Sequence, residues 1–325
     1  MAQMTLSQMS GWNITGSESH DFVYDPDNQN ARFTDLESEK TKHLAYIGTS
    51  DGVRLWTHHS SSPQWMDNVS VNGDTSHIPL YKSHVQKCTR RMMFRNAIDG
   101  VLAMLYKDPS SILRRIGIIA IEDVCLVKGY SVIVWLMMAI KYITLTKQDV
   151  HNIVNYVDNL CAIEKVFINM PLQPVTRKMI LTMKHENRDE VLALWYRKRA
   201  GGMKGDIKML ENAIAYYYRD PKQIEEKKIW RRFQIEVVAL KIPIIQEAID
   251  FHPFPELLSV LNRKTNIDKK TLKKYIWCVE SAVNMRKLDT KIQSKTYGQH
   301  FIWRQIMQHL QQERKKILVR LGLYN

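Results

Sequence analysis

From His84 onward, apolar residues recur three and four positions apart along most of this chain. Between residues 84 and 106, Val85, Cys88, Met92, Ala97, Val101, Met104 and Leu105 fall on one stripe, which predicts a helix with Lys87, Arg90, Arg91 and Arg95 beside it. Asp108-Pro109-Ser110 then breaks and restarts the pattern, with Asp108 as N-cap and Pro109 at the first helical position. A helix over 110–124 follows. The stretch 130–143 is apolar on all sides, with Lys128 before it and Lys141 in its last turn. Fourteen residues fall short of the ~20 that a bilayer requires, so the stretch predicts a fully buried core helix.

Thr146 opens the next helix, where Asp149 at the third position completes a capping box. That helix is expected to run through Phe167 and to close at Pro171 and Pro174. A second helical block is predicted at 186–199, 206–218, 224–240, 244–251 and 256–261, punctuated by Asp220-Pro221, Pro243, Pro253 and Pro255. At least two more helices are expected in 263–325, with 299–321 the clearest.

Residues 1–80 differ. They are polar and broken by turn-forming pieces at Asp25-Pro26-Asp27, Ser60-Ser61-Ser62-Pro63 and Asn72-Gly73-Asp74, and read as an irregular, partly ordered extension with short elements. The predicted class is mainly α, a multi-helix globular array with a mixed N-terminal region. Its segments are 1–80, a helical core and assembly domain 81–175, a second helical domain 176–262 and a basic helical region 263–325.

Composition agrees with that class. The chain has 325 residues, 45% hydrophobic and 25% charged, with 13 Gly and 10 Pro. Those values suit a globular protein with few interruptions of its helices. The N-terminus lacks a basic stretch followed by an apolar one, so no secretory leader is expected, and the Asn13 and Asn68 sequons carry no weight. An intracellular location, cytoplasmic or nuclear, is expected. Cys88, Cys125, Cys161 and Cys278 form no CxxC and have no His at zinc-ligand spacing. No metal or cofactor is expected. His58-His59 reads as a loop pair, since adjacent positions share no face on a helix or a strand.

Charge changes the picture most. The formal net charge is +14. Residues 1–40 carry Glu18, Asp21, Asp25, Asp27, Asp35, Glu37 and Glu39 against Arg32 and Lys40, a net of −5. Residues 263–325 carry fifteen Lys or Arg against Asp268, Glu280, Asp289 and Glu313, a net of +11. That separation favours an anionic partner for the C-terminal part. Nucleic acid, DNA or RNA, fits because phosphate neutralisation needs only clustered Lys and Arg. An acidic protein, or the chain's own acidic N-terminus, is the alternative. The expected contacts are Lys269, Lys270, Lys273, Lys274, Arg314, Lys315 and Lys316, together with Arg197, Lys198, Arg199 and Lys204 around Gly201-Gly202, where a helix start at Asp206 suits phosphate. At that site Asp206 as N-cap competes for the same donors, and a C-cap at Gly201 is the plain alternative. Arg231 and Arg232 alternate with Trp230 and Phe233, as Arg219 does with Tyr216, Tyr217 and Tyr218, and such groups stack bases when they are not core. Trp277 and Trp303 in the basic region raise the same pair of readings.

Residues 108–124 read DPSSILRRIGIIAIEDV. They resemble a segment in the C-terminal helical domain of the MgsA/Werner-helicase-interacting AAA+ ATPases, as does the preceding helix from Asn96 to Leu105. The similarity covers about forty residues, roughly an eighth of the chain. It implies subunit assembly, with Arg114, Arg115, Glu122 and Asp123 pairing charges within or between subunits, and an AAA+ or replication partner. The family's ATPase core is missing: no G-x-x-x-x-G-K-[ST] occurs, and Gly48 and Gly52 have neither the spacing nor the lysine.

No GxSxG, HExxH or deaminase signature occurs either. The leading expectation is therefore a non-catalytic, self-associating, nucleic-acid-associated protein serving replication, repair or genome packaging, with no membrane partner. The alternatives are a structural or interaction subunit of a viral particle or large complex, and a metal-dependent nuclease built on Glu122 and Asp123.

Overall fold

A computed structural model describes residues 20–34, 43–48, 53–58, 62–72, 77–164, 173–226, 231–250 and 254–323. The chain is mainly α with a mixed N-terminal region, and twelve α-helices lie among the described residues. His59, Phe167, Pro171, Trp230 and the acids Glu18, Asp35, Glu37 and Glu39 fall outside them.

The N-terminal region is more regular than its composition suggests. Strands β1 (His20–Asp25), β2 (Asn30–Thr34), β3 (His43–Gly48) and β4 (Val53–His58) form one sheet in the order β2-β1-β4-β3, with β1 and β4 parallel. The turn-forming Asp25-Pro26-Asp27 joins β1 to β2, and Asp25 accepts both the backbone and the side-chain N–H of Asn28. Phe22, Tyr24, Ala31, Phe33, Val53 and Leu55 are buried at alternate positions, which gives the sheet one apolar face. His58 ends β4 rather than lying in a loop.

That face packs on two helices of the core. Phe33 stacks between Phe22 (centroids 3.9 Å apart) and Tyr196 (5.3 Å), while Trp135 donates its indole N–H to the Phe22 carbonyl at 2.9 Å. Trp135 lies on α4 (Tyr130–Ala139), and Tyr196 on α7 (Arg188–Arg199). As expected for a stretch apolar on all sides, α4 is buried almost completely. Its N-terminus is closed by Glu190, whose two oxygens accept from the backbone N–H groups of Gly129 and Ser131 at 2.8 and 2.7 Å.

The helix predicted over 84–106 is two helices, α1 (Ile78–Arg90) and α2 (Phe94–Lys107). Met92 stands at φ +62 between them, with neither Gly nor Pro to announce the break. A non-glycine residue there costs on the order of 1–2 kcal/mol, and the bonds that α1 makes at its C-terminus offset it. α1 and α2 touch at Gly100, where an added Cβ would meet Val85 Cγ2 at 2.7 Å and His84 Cδ2 at 3.0 Å. Alanine ordinarily gains up to ~1 kcal/mol over glycine in a helix. Here the overlap with a buried β-branched side chain outweighs that gain. Gly100→Ala is expected to lower the unfolding free energy by about 1–3 kcal/mol, read as a lower urea midpoint. An unchanged or higher midpoint would show that α1 and α2 separate freely.

The predicted caps are present. Asp108 accepts from Ser111 N–H at 3.0 Å to start α3 (Pro109–Asp123), and Thr146 and Asp149 form the capping box of α5 (Lys147–Ala162). The short α6 (Arg177–Leu181) precedes α7. α8 (Lys204–Arg219) begins two residues before the expected start, which places Asp206 in its first turn rather than at its cap. Among the described residues of 224–240, the predicted helix does not form. Val237–Ala239 is instead a strand, β6, parallel to β5 (Ser70–Asn72), and Trp65 donates to the Ile235 carbonyl at 2.7 Å. Glu225 bridges in parallel to Val127. Residues 246–249 make a single 3-10 turn, less than the helix expected there.

The helix expected at 256–261 is α9 (Glu256–Thr265), and the basic region beyond it folds as α10 (Lys269–Ile276), α11 (Leu288–Gly298) and α12 (Phe301–Arg320). The compositional boundaries near 80, 175 and 262 mark changes in sequence character. The buried apolar side chains, from Phe22 to Leu323, nevertheless form one continuous cluster. A short loop of the basic region closes three core helices at once. Arg286 donates to the carbonyls of Thr89 and Arg90 at the end of α1 (2.8 and 3.2 Å) and of Leu160 and Ile163 at the end of α5 (2.5 and 2.7 Å). Asn284 and Lys287 donate to Asp123 and Glu122 carbonyls at the end of α3, at 2.8 and 3.0 Å. Cationic donors suit helix C-termini, where unpaired carbonyls and the helix dipole coincide.

Candidate nucleic-acid interface

α10 is short and strongly two-faced. Leu272, Tyr275 and Ile276 are buried, while Lys269, Lys270, Lys273 and Lys274 are all exposed. At 100° per residue these lysines span about 140° of the helix surface, so a single face carries four ammonium groups. Two like-charge pairs stand at i,i+4, an arrangement that costs an isolated helix ~0.2–0.5 kcal/mol per pair. Lys269 and Lys270 have no carboxylate within ion-pair distance among the described residues. Lys274 sits 5.2 Å over the Tyr297 ring, and Tyr297, Tyr275 and His300 form a run of contacting rings.

Elsewhere on the C-terminal helices, Arg263, Lys291, Lys295 and Arg304 are exposed, as are Lys315 and Lys316. Other cations there are partly spent on neighbours. Glu313 takes Lys264 at 2.5 Å and Lys316 at 3.1 Å, and Arg320 stands 3.9 Å from Glu256. Lys291 and Lys295 are not among the contacts expected from the sequence, although their four-residue spacing on a helix is a signal for them.

Two of the expected phosphate contacts are instead interior struts. Arg314 is buried, and its guanidinium grips Asp250 at 2.7 Å and Glu280 as well. Arg197 is also buried, donating to the carbonyls of Arg114 (2.9 Å) and Gly201 (2.8 Å). Both are excluded from an anion outside because a guanidinium fits a sealed site only when carboxylates or carbonyls absorb its donors. Lys198 lies 3.6 Å from Glu211. Arg199 and Lys204 stay on the surface, Arg199 5.7 Å over Trp195. Gly201 at φ +80 ends α7 as a left-handed cap, the plain alternative for that segment.

The aromatics divide similarly. Tyr217 and Trp303 are core residues, whereas Trp277 is 46% exposed beside the lysine face. Arg231 and Arg232 are exposed at the edge of a cleft with Phe94 and Phe233, which the sequence reading had not brought together.

The four charges from the resembled segment are drawn inward to different degrees. Asp123 is buried against Arg90 at 2.6 Å, a pairing within the chain, one of the two arrangements expected for it. Arg114 donates to the Ala200 carbonyl at 2.7 Å, and Glu122 lies 3.5 Å from Arg90. Arg115 is half-buried. Burial and the neighbouring Asp123 carboxylate raise Glu122 above its usual range. Gln86 donates to both acids at 2.9 and 3.1 Å, so Arg90 and Gln86 occupy the oxygens that a nuclease metal would need. No group of three or more His, Cys, Asp or Glu side chains able to hold a metal occurs among the described residues. All four cysteines are buried free thiols, and burial pushes those of Cys88 and Cys161 up, away from reactivity. No helix among the described residues is long and apolar enough to cross a membrane. No protein-family model, curated protein or solved structure matches this chain.

Proposed function

We propose that this chain is a non-catalytic, self-associating nucleic-acid-binding protein, an accessory factor in replication, repair or genome packaging, that grips the phosphate backbone with its C-terminal helices. The supporting observation is the face of α10, where Lys269, Lys270, Lys273 and Lys274 stand together at a cost that an anion would remove. Lys291, Lys295, Arg304, Lys315 and Lys316 are further exposed cations of the C-terminal helices. Backbone contact of this kind reads charge rather than base, so little sequence preference is expected. The resemblance of residues 84–124 supports self-association and a replication partner, with Arg115 its remaining half-exposed basic group.

The test is fluorescence anisotropy of the full chain and of the variant with all four α10 lysines changed to alanine, on labelled DNA and RNA across a salt series. Each lost phosphate contact flattens the slope of log affinity against log salt by about 0.9 on duplex DNA. The variant is therefore expected to bind at least tenfold more weakly near 0.1 M salt, with a slope on duplex DNA shallower by up to about 3.6. Equal slopes for the two proteins would reject the α10 face as the phosphate site.

A second reading, a structural subunit whose basic surface meets an acidic protein, is supported by Leu288 and Ile292 on α11, 68% and 57% exposed beside Lys291 and Lys295. Light scattering with polyanion competition separates the two: particles dispersed by heparin but indifferent to nucleic acid would favour the subunit.

A further inference from the structure

The start of α2 and the segment 231–234 enclose a cleft of about 460 Å³, lined by Phe94, Arg95, Asp99, Arg231, Arg232 and Phe233. That volume lies within the ~300–1,000 Å³ usual for small-ligand sites. Its walls combine two aromatic rings with three guanidinium groups and one carboxylate. Arg231 lies over Phe94, its guanidinium carbon 3.9 Å from the ring centroid, and Arg95 reaches the same ring at 5.8 Å.

Arg231 is held in that position from behind. Its Nη1 bonds the Asp158 carboxylate at 2.6 Å, and the Asp158 side chain is fully buried. This leaves Nε and Nη2 of Arg231 without a hydrogen-bond partner among the described residues. Arg232 and Arg95 are exposed and make no ion pair within 4 Å among the described residues. The cleft therefore presents unspent guanidinium donors beside aromatic faces, the pairing that recognises a planar base joined to a phosphate. Asp99, with its carboxyl raised by partial desolvation against the pull of Arg95, adds an acceptor for a base amino group or a sugar hydroxyl.

We propose that this cleft holds one unstacked nucleotide of a single strand, the base against Phe233 and the phosphate on Arg95 and Arg232. The inference rests on the nucleic-acid reading above and narrows it. The lysine face of α10 meets phosphates whether or not the strand is paired. A duplex keeps its base faces stacked and offers nothing to Phe233, so the cleft confers preference for single strands.

The experiment compares the full wild-type chain with Phe233→Ala, Arg95→Gln and the α10 lysine-to-alanine variant. Each is titrated into labelled oligothymidylate and a blunt duplex of equal length, with circular dichroism to verify folding. Arg95 is exposed, so its variant guards against a folding defect at the half-buried Phe233. Wild type is expected to favour the single strand. Phe233→Ala and Arg95→Gln should each weaken oligothymidylate binding about fivefold or more, leaving duplex binding unchanged. The lysine variant should weaken both probes. If the cleft variants bind oligothymidylate like wild type while the lysine variant does not, the cleft inference is overturned and the phosphate-binding reading stands. Equal weakening of both probes by the cleft variants also overturns it. If wild type binds neither probe, both readings fall.

Discussion

Replacing Arg314 with alanine is expected to cost about 3–5 kcal/mol of unfolding free energy, because it strands a buried carboxylate rather than merely deleting a contact. The Arg314 guanidinium is 2% exposed and makes three bonds to Asp250, at 2.7, 2.8 and 3.0 Å, besides its bond to Glu280. The Asp250 side chain is fully buried. Without Arg314 it keeps the Ser281 hydroxyl as a donor, too little to hold a charge away from water. Against a total stability of about 5–15 kcal/mol, the loss is a large fraction. Urea unfolding followed by fluorescence should show a lower midpoint with an unchanged slope. Adding Asp250→Asn to Arg314→Ala should recover part of the loss, since the stranded charge is then gone. A loss below about 1 kcal/mol would mean that water enters the site and the pair behaves as a surface bridge.

The second large effect is acid lability centred on His84. This imidazole is buried between α1 and α2, 3.6 Å from the Cys88 sulfur, and its two nitrogens have distinct partners. Nδ1 accepts the Ile245 backbone N–H at 3.2 Å, which leaves Nε2–H to donate to the Asn96 carbonyl at 3.0 Å. That arrangement suits only the neutral ring, because a proton on Nδ1 would face an N–H. Burial pulls His84 down from 6.5 to about 4. Between those values the unfolded chain binds the proton and the folded one does not, so stability rises with pH through the window. It is lost as pH falls from 6.5 toward 4, by on the order of 3 kcal/mol in full. Burial raises Glu190 to about 7 and gives the opposite slope, stability falling as pH rises from about 4.5 to 7. The raw pH profile therefore mixes the two. The difference between wild type and His84→Gln isolates the histidine, because glutamine retains an acceptor and a donor without titrating. That difference should shift against wild type by 2–3 kcal/mol, to order of magnitude, between pH 6.5 and 4. A difference flat in pH would show that His84 is not held neutral.

The features legible in the sequence were those whose cause lies within one or two helical turns. Asp108 and the Thr146/Asp149 box name their own helix starts, because a cap bonds a backbone N–H two or three residues away. α4 declared its burial by being apolar on every side. Where the deciding contact comes from far along the chain, the local pattern misled. Residues 237–239 read as helix, yet pairing with 70–72 makes them a strand. α1 ends at Arg90 because Arg286 caps it, a partner 196 positions away. Likewise nothing near Arg314 distinguishes it from Lys315 and Lys316. All three read as surface cations, and only the fold turns Arg314 inward toward Asp250, 64 positions earlier. The cleft at Phe94 and Arg231 was illegible for the same reason, its two walls meeting only after the chain has folded.

The loop around Arg286 also bears on how this protein is made. The carbonyls it closes on α1 were synthesised 196 and 197 residues earlier. At translation rates of about 5–20 residues per second, α1 leaves the ribosome some 10–40 s before its cap is made. Until residues 284–287 are made the ends of α1, α3 and α5 stay open, and a nascent chain halted before residue 284 never acquires the groups that close them. Quality control of this protein therefore waits on residues 284–287: a chain terminated before them carries unfinished helix ends for chaperones and proteases to find.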